Sequence, residues 1–442
     1  MHWARAAAIL FGVFFFSAAV VGAQEGQAKP LSLSEAIEIV LEKSPLSEVS
    51  SQGVAAAEEE RKAARGEFLP KLKTGFNFTA FNEVPTIEIP ANPPIPGQSF
   101  PAGTYRQLSA TTSLEQPLFT GLALLSQYRL AGLSMSEAEV QRGGTRQELI
   151  LKTHESYFGV LVAEKLRDVA NLAVTQLESH AEVARQFYET GMIPKNDLLK
   201  VLVQLADTKR KRIQASHQLD LACSQFNILL RRSMEEPVAL TETLSYRPYE
   251  RALDECLQLA LRHHPELLIS DLQIQKAGQS VRLAQSGWYP HFALVGSLTH
   301  EDGGFAESDK VLSATLHAEW SVWEWGSKYY KVKSAESQRA IARARHTQIT
   351  DTVQLQVRQA YLMVQEWKEA ISVAEASIEQ ARENFRITEE QFTANVTTST
   401  EVLDAQTLLD QAQVNYYSSL SDYNISIARL ERAMGILSPP GP

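Results

Sequence analysis

The chain reads twice through one order of elements, and this duplication limits its fold more than any single motif does. Leu33-Ser34-Glu35-Ala36-Ile37, Ser44-Pro45 and Phe68-Leu69-Pro70 recur as Leu253-Asp254-Glu255-Cys256-Leu257, His264-Pro265 and Trp288-Tyr289-Pro290, each 220 positions later. From Leu108-Ser109-Ala110-Thr111 the recurrence is at Leu312-Ser313-Ala314-Thr315, 204 positions on. That offset holds from Tyr157 to Tyr361 and from Asp197-Leu198-Leu199 to Glu401-Val402-Leu403. The first copy therefore carries 16 extra residues in one loop, and tolerance of insertion marks an exposed tip. Its Pro-rich run, Val84-Pro85 to Pro101-Ala102-Gly103, agrees. The two copies span 31–232 and 250–436, followed by a tail at 437–442.

Within each copy the hydrophobic period changes from two to three and a half. Strands are expected at about 71–83 and 105–119, then at about 291–301 and 310–323. Leu72, Thr74, Phe76, Phe78 and Ala80 alternate with Lys71, Lys73, Gly75, Asn77 and Thr79. Leu312, Ala314, Leu316, Ala318, Trp320 and Val322 alternate with Ser313, Thr315, His317, Glu319 and Ser321. A half-buried strand of a soluble sheet alternates in the same way. A length of about ten residues, with Trp320, Trp323 and Trp325 at one end like an interfacial girdle, favours membrane strands.

Longer heptads follow the strands. Val357, Val364, Ile371, Ile378, Phe385 and Phe392 form one seam, with Ala360, Trp367, Ala374, Ala381 and Thr388 beside it. On the return segment Val402, Leu409, Tyr416, Tyr423 and Leu430 pair with Ala405, Ala412, Ser419, Ser426 and Ala433. Large residues at one position and mostly small ones at the other predict closely approaching antiparallel coiled-coil helices. A helix from about Lys328 to Thr393 would reach about 100 Å at ~1.5 Å per residue. Gly143-Gly144 is expected to loosen the matching helix near its start.

Compartment and charge narrow the function. Arg5 precedes an apolar run, Ala6 to Val21, that ends in Val21-Gly22-Ala23: a secretory signal peptide, 1–23, cut after Ala23. The net charge of −10 argues against a nucleic-acid partner. Cys223 and Cys256 show neither a disulfide framework nor metal-ligand spacing, and buried thiols are the expectation, although an oxidising compartment permits a bond. No later segment is an apolar transmembrane helix, so a membrane location requires strands. Four strands per chain cannot close a barrel, whose smallest form has about eight, so copies must pool strands, two or three of them by arithmetic.

The repeated Leu-x-x-x-x-Ala/Leu opening with its following proline resembles that of the TolC-type outer-membrane efflux proteins. So do the strand entries Leu69-Pro70 and Tyr289-Pro290, the strand exit Gln116-Pro117-Leu118-Phe119-Thr120-Gly121, and Phe187 to Leu199 at the helix turn. No one of these motifs is specific; their order, occurring twice, is. The resemblance implies a mainly α fold with a membrane β-barrel contribution: a homotrimer with a 12-stranded barrel and a 12-helix periplasmic tunnel. It also implies a passive exit duct for efflux or type I secretion, opened by a periplasmic adaptor protein and an inner-membrane pump, with outer-membrane lipid around it and no cofactor.

The turns Gly191-Met192-Ile193-Pro194 and Asn395-Val396-Thr397 lie at the far end of the long helices from the strands, and form the expected periplasmic mouth and adaptor contact. Glu401 and Asp404, three apart, share a helical face off the Val402/Ala405 seam. In threefold symmetry they would supply six carboxylates to a selectivity ring, and they match the acidic gate positions of TolC-like channels. The competing reading is a capping box at Thr398-Ser399-Thr400-Glu401 with dipole-favoured acids. The first copy has Asp197 and Lys200 instead, and Thr397 stands where family members can carry a basic residue that pins the closed gate.

Other candidates are weaker. His263-His264 precede a proline and lack metal partners, so an exposed helix end is expected. No phosphate loop, zinc motif or nucleophile elbow occurs. Two alternative readings stand beside the channel: a periplasmic coiled-coil adaptor without a pore, and a secreted hydrolase using Glu58 and Glu59, which more simply form a solvated helix face.

Overall fold

The computed structural model describes residues 30–84, 86–92, 96–101, 103–302 and 310–439. The signal-peptide reading and part of the Pro-rich tip lie outside these residues.

The two copies fold in step. Helices α1 (Leu33–Lys43) and α2 (Pro45–Gly66) lead to strand β1 (Lys71–Ala80). A short hairpin, β2 (Thr86–Ile89) and β3 (Gln98–Pro101), precedes β4 (Arg106–Thr120), and then come α3 (Ala123–Glu189) and α4 (Lys195–Leu229). Copy two follows as α5 (Leu253–His263), α6 (Pro265–Gln285), β5 (His291–Asp302), β6 (Lys310–Glu319), α7 (Ser327–Thr393) and α8 (Ser399–Ala433). Both bounds of α3 and α4 recur 204 positions later in α7 and α8, and those of α1 recur 220 positions later in α5. The Pro-rich tip is therefore not irregular throughout, since the insertion builds its own exposed hairpin.

The four main strands make one antiparallel sheet in the order β1-β4-β5-β6, unclosed, with free edges at β1 and β6. Lys71 faces Glu115 in copy one, and His291 faces Glu319 in copy two, so the two hairpins share one register. One sheet face is apolar and uncovered: Leu72, Phe76, Phe78, Leu312 and Leu316 are 63–81% exposed. Strand β6 stops at Glu319, four residues short of the expected end, and Trp320, Trp323 and Trp325 follow as exposed irregular chain.

The helices continue the order of the sheet. Helix α2 packs on α3, α3 on α6, and α6 on α7, while α3·α4 and α7·α8 form the coiled-coil pairs. The α7 seam is buried along its length at Val357, Val364, Ile371, Ile378, Phe385 and Phe392, facing Val402, Leu409, Tyr423 and Leu430. Each such side chain contributes about 1.5–3 kcal/mol on burial. At ~1.5 Å per residue, the 67 residues of α7 reach about 100 Å. Among the described residues no helix is long and apolar enough to cross a membrane.

Gly143-Gly144 do not loosen α3, which runs unbroken through them; Gly144 is buried, and a β-carbon there would lie 3.4 Å from Pro265 at the start of α6. Helices α3 and α6 meet there.

The segment between the copies is fastened by a tyrosine from each. The Tyr157 hydroxyl donates to Glu242, whose carboxylate also accepts from the Leu33 amide (3.1 Å) at the start of α1, and the Tyr423 hydroxyl donates to Arg247 O (2.9 Å). At the other end of copy two, His264 is buried rather than exposed, because the chain after α8 folds over it. Gly435 has φ +73°, and a β-carbon there would lie 2.4 Å from His263 O. Gly435→Ala is therefore expected to lower stability by more than about 1 kcal/mol, read as a reduced midpoint of thermal unfolding.

Candidate functional site

Both long helix pairs turn at the end of the molecule away from the sheet, and the two turns are built alike. Helix α3 closes through Gly191 (φ +76°), with Met192 N donating to Phe187 O (2.7 Å) and Gly191 N to Tyr188 O (3.0 Å). Helix α7 closes through Asn395 (φ +59°), with Val396 N donating to Gln391 O (2.9 Å) and Asn395 N to Phe392 O (2.9 Å). These paired bonds satisfy the last carbonyls of each helix, and Gly or Asn tolerates the left-handed residue they require. Met192 and Val396 project outward, whereas Ile193 and Thr397 are half-buried at equivalent positions. Pro194 starts α4 in extended conformation.

Glu401 and Asp404 lie in the first two turns of α8, both exposed, beside the buried seam residues Val402 and Ala405. The capping-box alternative is not realised: Thr398 caps α8 without any side-chain hydrogen bond. Neither carboxylate makes an ion pair among the described residues. Lys200, on the adjacent α4, is engaged with Asp197 (3.4 Å) and with the Thr400 hydroxyl (3.4 Å). The Asp197–Lys200 pair is self-compensating, whereas Glu401 and Asp404 have no such partner among the described residues. Asp404 borders a shallow groove between α4 and α8 with Leu199, Lys200, Val203 and Leu403.

Beneath the turns a small core joins the two coiled coils. Phe392 of α7 packs on His180 and Phe187 of α3, with ring centroids 4.7 and 5.4 Å apart. His180 is buried with its Nε2 unpartnered, and burial pushes its pKa down to about 4. One layer away, the buried Gln406 amide of α8 donates to Gln176 Oε1 (3.0 Å) and Asp410 Oδ1 (2.7 Å). Burial raises the Asp410 carboxyl to about 6, against the opposing pull of the Gln406 hydrogen bond and Lys211. Sequence reading missed His180, Gln406 and Asp410. Gln406 and Asp410 stand four apart on α8, but only the packing of α3 against it shows that they are covered.

The remaining candidates do not assemble a site. Glu58 and Glu59 both pair with Lys62 (2.9 and 3.0 Å) on an exposed face of α2. Cys223 and Cys256 are free thiols, Cys256 buried and Cys223 half-buried. Among the described residues no cluster of potential metal ligands occurs.

The comparisons agree with one another. The family described as "Outer membrane efflux protein" matches residues 36–227 and 256–436. Alkaline protease secretion protein AprF of Pseudomonas aeruginosa is 22% identical over 418 residues, covering 92% of this chain and 85% of that protein. Outer membrane protein TolC of Escherichia coli is 22% identical over 401 residues, covering 87% and 78%. Among solved structures, the CmeC outer membrane channel of Campylobacter jejuni superposes with a TM-score of 0.78 at 15% identity, over 91% of this chain and 85% of that one.

The buried pair at the tip predicts opposed pH effects on stability. The folded pKa of Asp410 lies above its unfolded value, so its contribution is full below about 4 and is lost as pH rises through about 6. The folded pKa of His180 lies below its unfolded value, so its contribution is full above about 6.5 and is lost as pH falls towards 4. Asp410→Asn is expected to gain stability relative to the parent between about pH 4 and 6, and His180→Phe to flatten the acid loss between about 6.5 and 4. Thermal unfolding across that range measures both.

Proposed function

This chain belongs to the outer membrane efflux protein family, and on that premise we propose that three copies close into a passive duct opened by a periplasmic adaptor and an inner-membrane pump. It is an outer-membrane protein extending into the periplasm, from a family of channels rather than enzymes. The observation that carries the duct reading is the unclosed sheet. Its apolar face is uncovered, its two edges are unpaired, and helices of about 100 Å continue from it.

In hydrocarbon each unpaired edge amide or carbonyl costs several kcal/mol, and closure with neighbouring copies removes that cost. Three chains give twelve strands, with the apolar face towards lipid and the Lys71, Lys73 and Ser313 face towards water. The adaptor alternative fares worse, because a compact soluble domain would bury Leu72, Phe76, Phe78 and Leu312, which here are among the most exposed apolar side chains.

At the periplasmic end, the turns Gly191-Met192-Ile193-Pro194 and Asn395-Val396-Thr397 supply the surface met by the adaptor. Glu401 and Asp404 form the acidic ring of the constriction. Their exposure and lack of ion pairing support this role, since a carboxylate held in an ion pair would contribute less to the potential that a passing ion meets.

Two measurements test the reading. Protein extracted from isolated outer membranes is expected to have a detergent-corrected native mass of three chains; a soluble monomer would overturn the duct. In planar bilayers, Glu401→Ala/Asp404→Ala is expected to lower cation preference severalfold at low salt, where screening is weakest. Unchanged selectivity in a correctly assembled channel would return both residues to a surface role.

A further inference from the structure

Where the short helices meet the long ones, the two copies share a backbone plan but not a chemistry. In copy two, Leu267 of α6 is buried, and the Ser270 hydroxyl of α6 bonds His346 Nδ1 of α7 (2.8 Å), bridging the groove between the helices. In copy one the equivalent positions, 220 earlier in α2 and 204 earlier in α3, hold Ser47, Ser50 and Arg142. The groove there stays open as a cavity of about 400 Å³, with Leu41 of α1 in its wall. Small-ligand sites occupy roughly 300–1,000 Å³.

The packing of the chain does not account for what lines this cavity. Arg142 and Arg146 stand about one turn apart on α3, both exposed, and neither makes a hydrogen bond or ion pair among the described residues. They meet no carboxylate although the chain has a net charge of −10. Nearby Glu148 is engaged by Lys152 (3.5 Å) and Arg432 (3.8 Å) instead. Glu139 lines the same cavity and likewise has no ion partner, and the Ser47 and Ser51 hydroxyls make no hydrogen bond among the described residues.

Gly143 completes the lining. Its neighbour Gly144 is buried against Pro265, but a β-carbon at Gly143 would meet nothing within 4 Å. A glycine inside a helix costs stability relative to alanine, and no contact within the chain calls for one here. Its effect is to leave the helix surface between the two arginines and Glu139 bare.

A guanidinium binds a carboxylate through a two-bonded fork, and a carboxylate such as that of Glu139 binds an ammonium. The midpoint of Arg142 and Arg146 lies five residues from Glu139, about 7.5 Å along the axis at ~1.5 Å per residue, and two extended residues span about 7 Å. We propose that this cavity binds a zwitterionic peptide of about two residues, with its carboxylate on Arg142 and Arg146, its ammonium on Glu139 and its amide against the Ser47 and Ser51 hydroxyls. A lipid headgroup fits the position less well, because Arg142 lies about 30 Å along α3 from Ala123, where the helix leaves the sheet. The site is built from α1, α2 and α3 of one chain, so the inference does not depend on how copies assemble.

Full-length protein purified from outer membranes, treated with phenylglyoxal and mapped by peptide mass, reports the accessibility of each arginine. Alanyl-alanine is expected to slow modification of Arg142 and Arg146 several-fold while leaving Arg212, an exposed arginine of α4, unchanged. Alanyl-alanine amide, which lacks the carboxylate, is expected to give no protection, and N-acetyl-alanyl-alanine, which lacks the ammonium, to protect several-fold less. Glu139→Gln is expected to abolish the difference between the free and the acetylated dipeptide. Gly143→Leu is expected to abolish protection with an unfolding midpoint no lower than the parent's, since the new side chain enters open space. No protection by the dipeptide, or equal protection by inorganic phosphate at the same concentration, overturns the peptide site. Equal protection by the free and acetylated dipeptides in the parent, or a difference that survives Glu139→Gln, overturns the ammonium contact, and protection retained in Gly143→Leu overturns the bare floor. Each of these results leaves the native mass of three chains, and the duct reading that rests on it, untouched.

Discussion

A backbone amide without a partner cannot remain in hydrocarbon, and β1 and β6 each present a row of them. The organisation of this protein follows from removing those two edges. Four strands are too few to curl into a barrel of their own, so the sheet closes only through other copies. The order of packing below the sheet, α2-α3-α6-α7, repeats the order of the strands. Whatever joins one sheet to the next must therefore also join one helical layer to the next.

The duplication makes this arrangement economical in information. One strand pair and its helices are used twice in the chain, with one register in both hairpins. Inside the chain Glu137 and Lys276 lie close to each other, where the covalent connection already guarantees the partner. The C-terminal turn acts differently again, with Gly435 and Met434 packed against the α5–α6 junction so that the end of copy two is locked to its beginning.

At the periplasmic tip, packing and function separate. Val402, Ala405, Phe392 and His180 face inward and hold the two coiled coils together. Glu401 and Asp404 sit one residue off that seam and are left free of it. Two helical turns carry out both tasks because a helix brings neighbouring residues to different faces. The Asn395 turn repeats the two closing bonds of the Gly191 turn at equivalent positions.

The sequence by itself determined the duplication, the four strands, the long helices and the seam Val357-Val364-Ile371-Ile378-Phe385-Phe392, because periodicity is a property of spacing and burial follows it. It also identified Glu401 and Asp404 as off-seam, since a residue's face depends only on its offset from a known seam position. What only the tertiary structure decided were contacts between segments far apart in the chain. Gly144 is buried because Pro265 of α6 lies against it, and His264 is buried because residues after α8 cover it. Asp410 and His180 titrate abnormally because α3, α7 and α8 exclude water from them together. Desolvation depends on everything packed around a group, and no local pattern of residues records it.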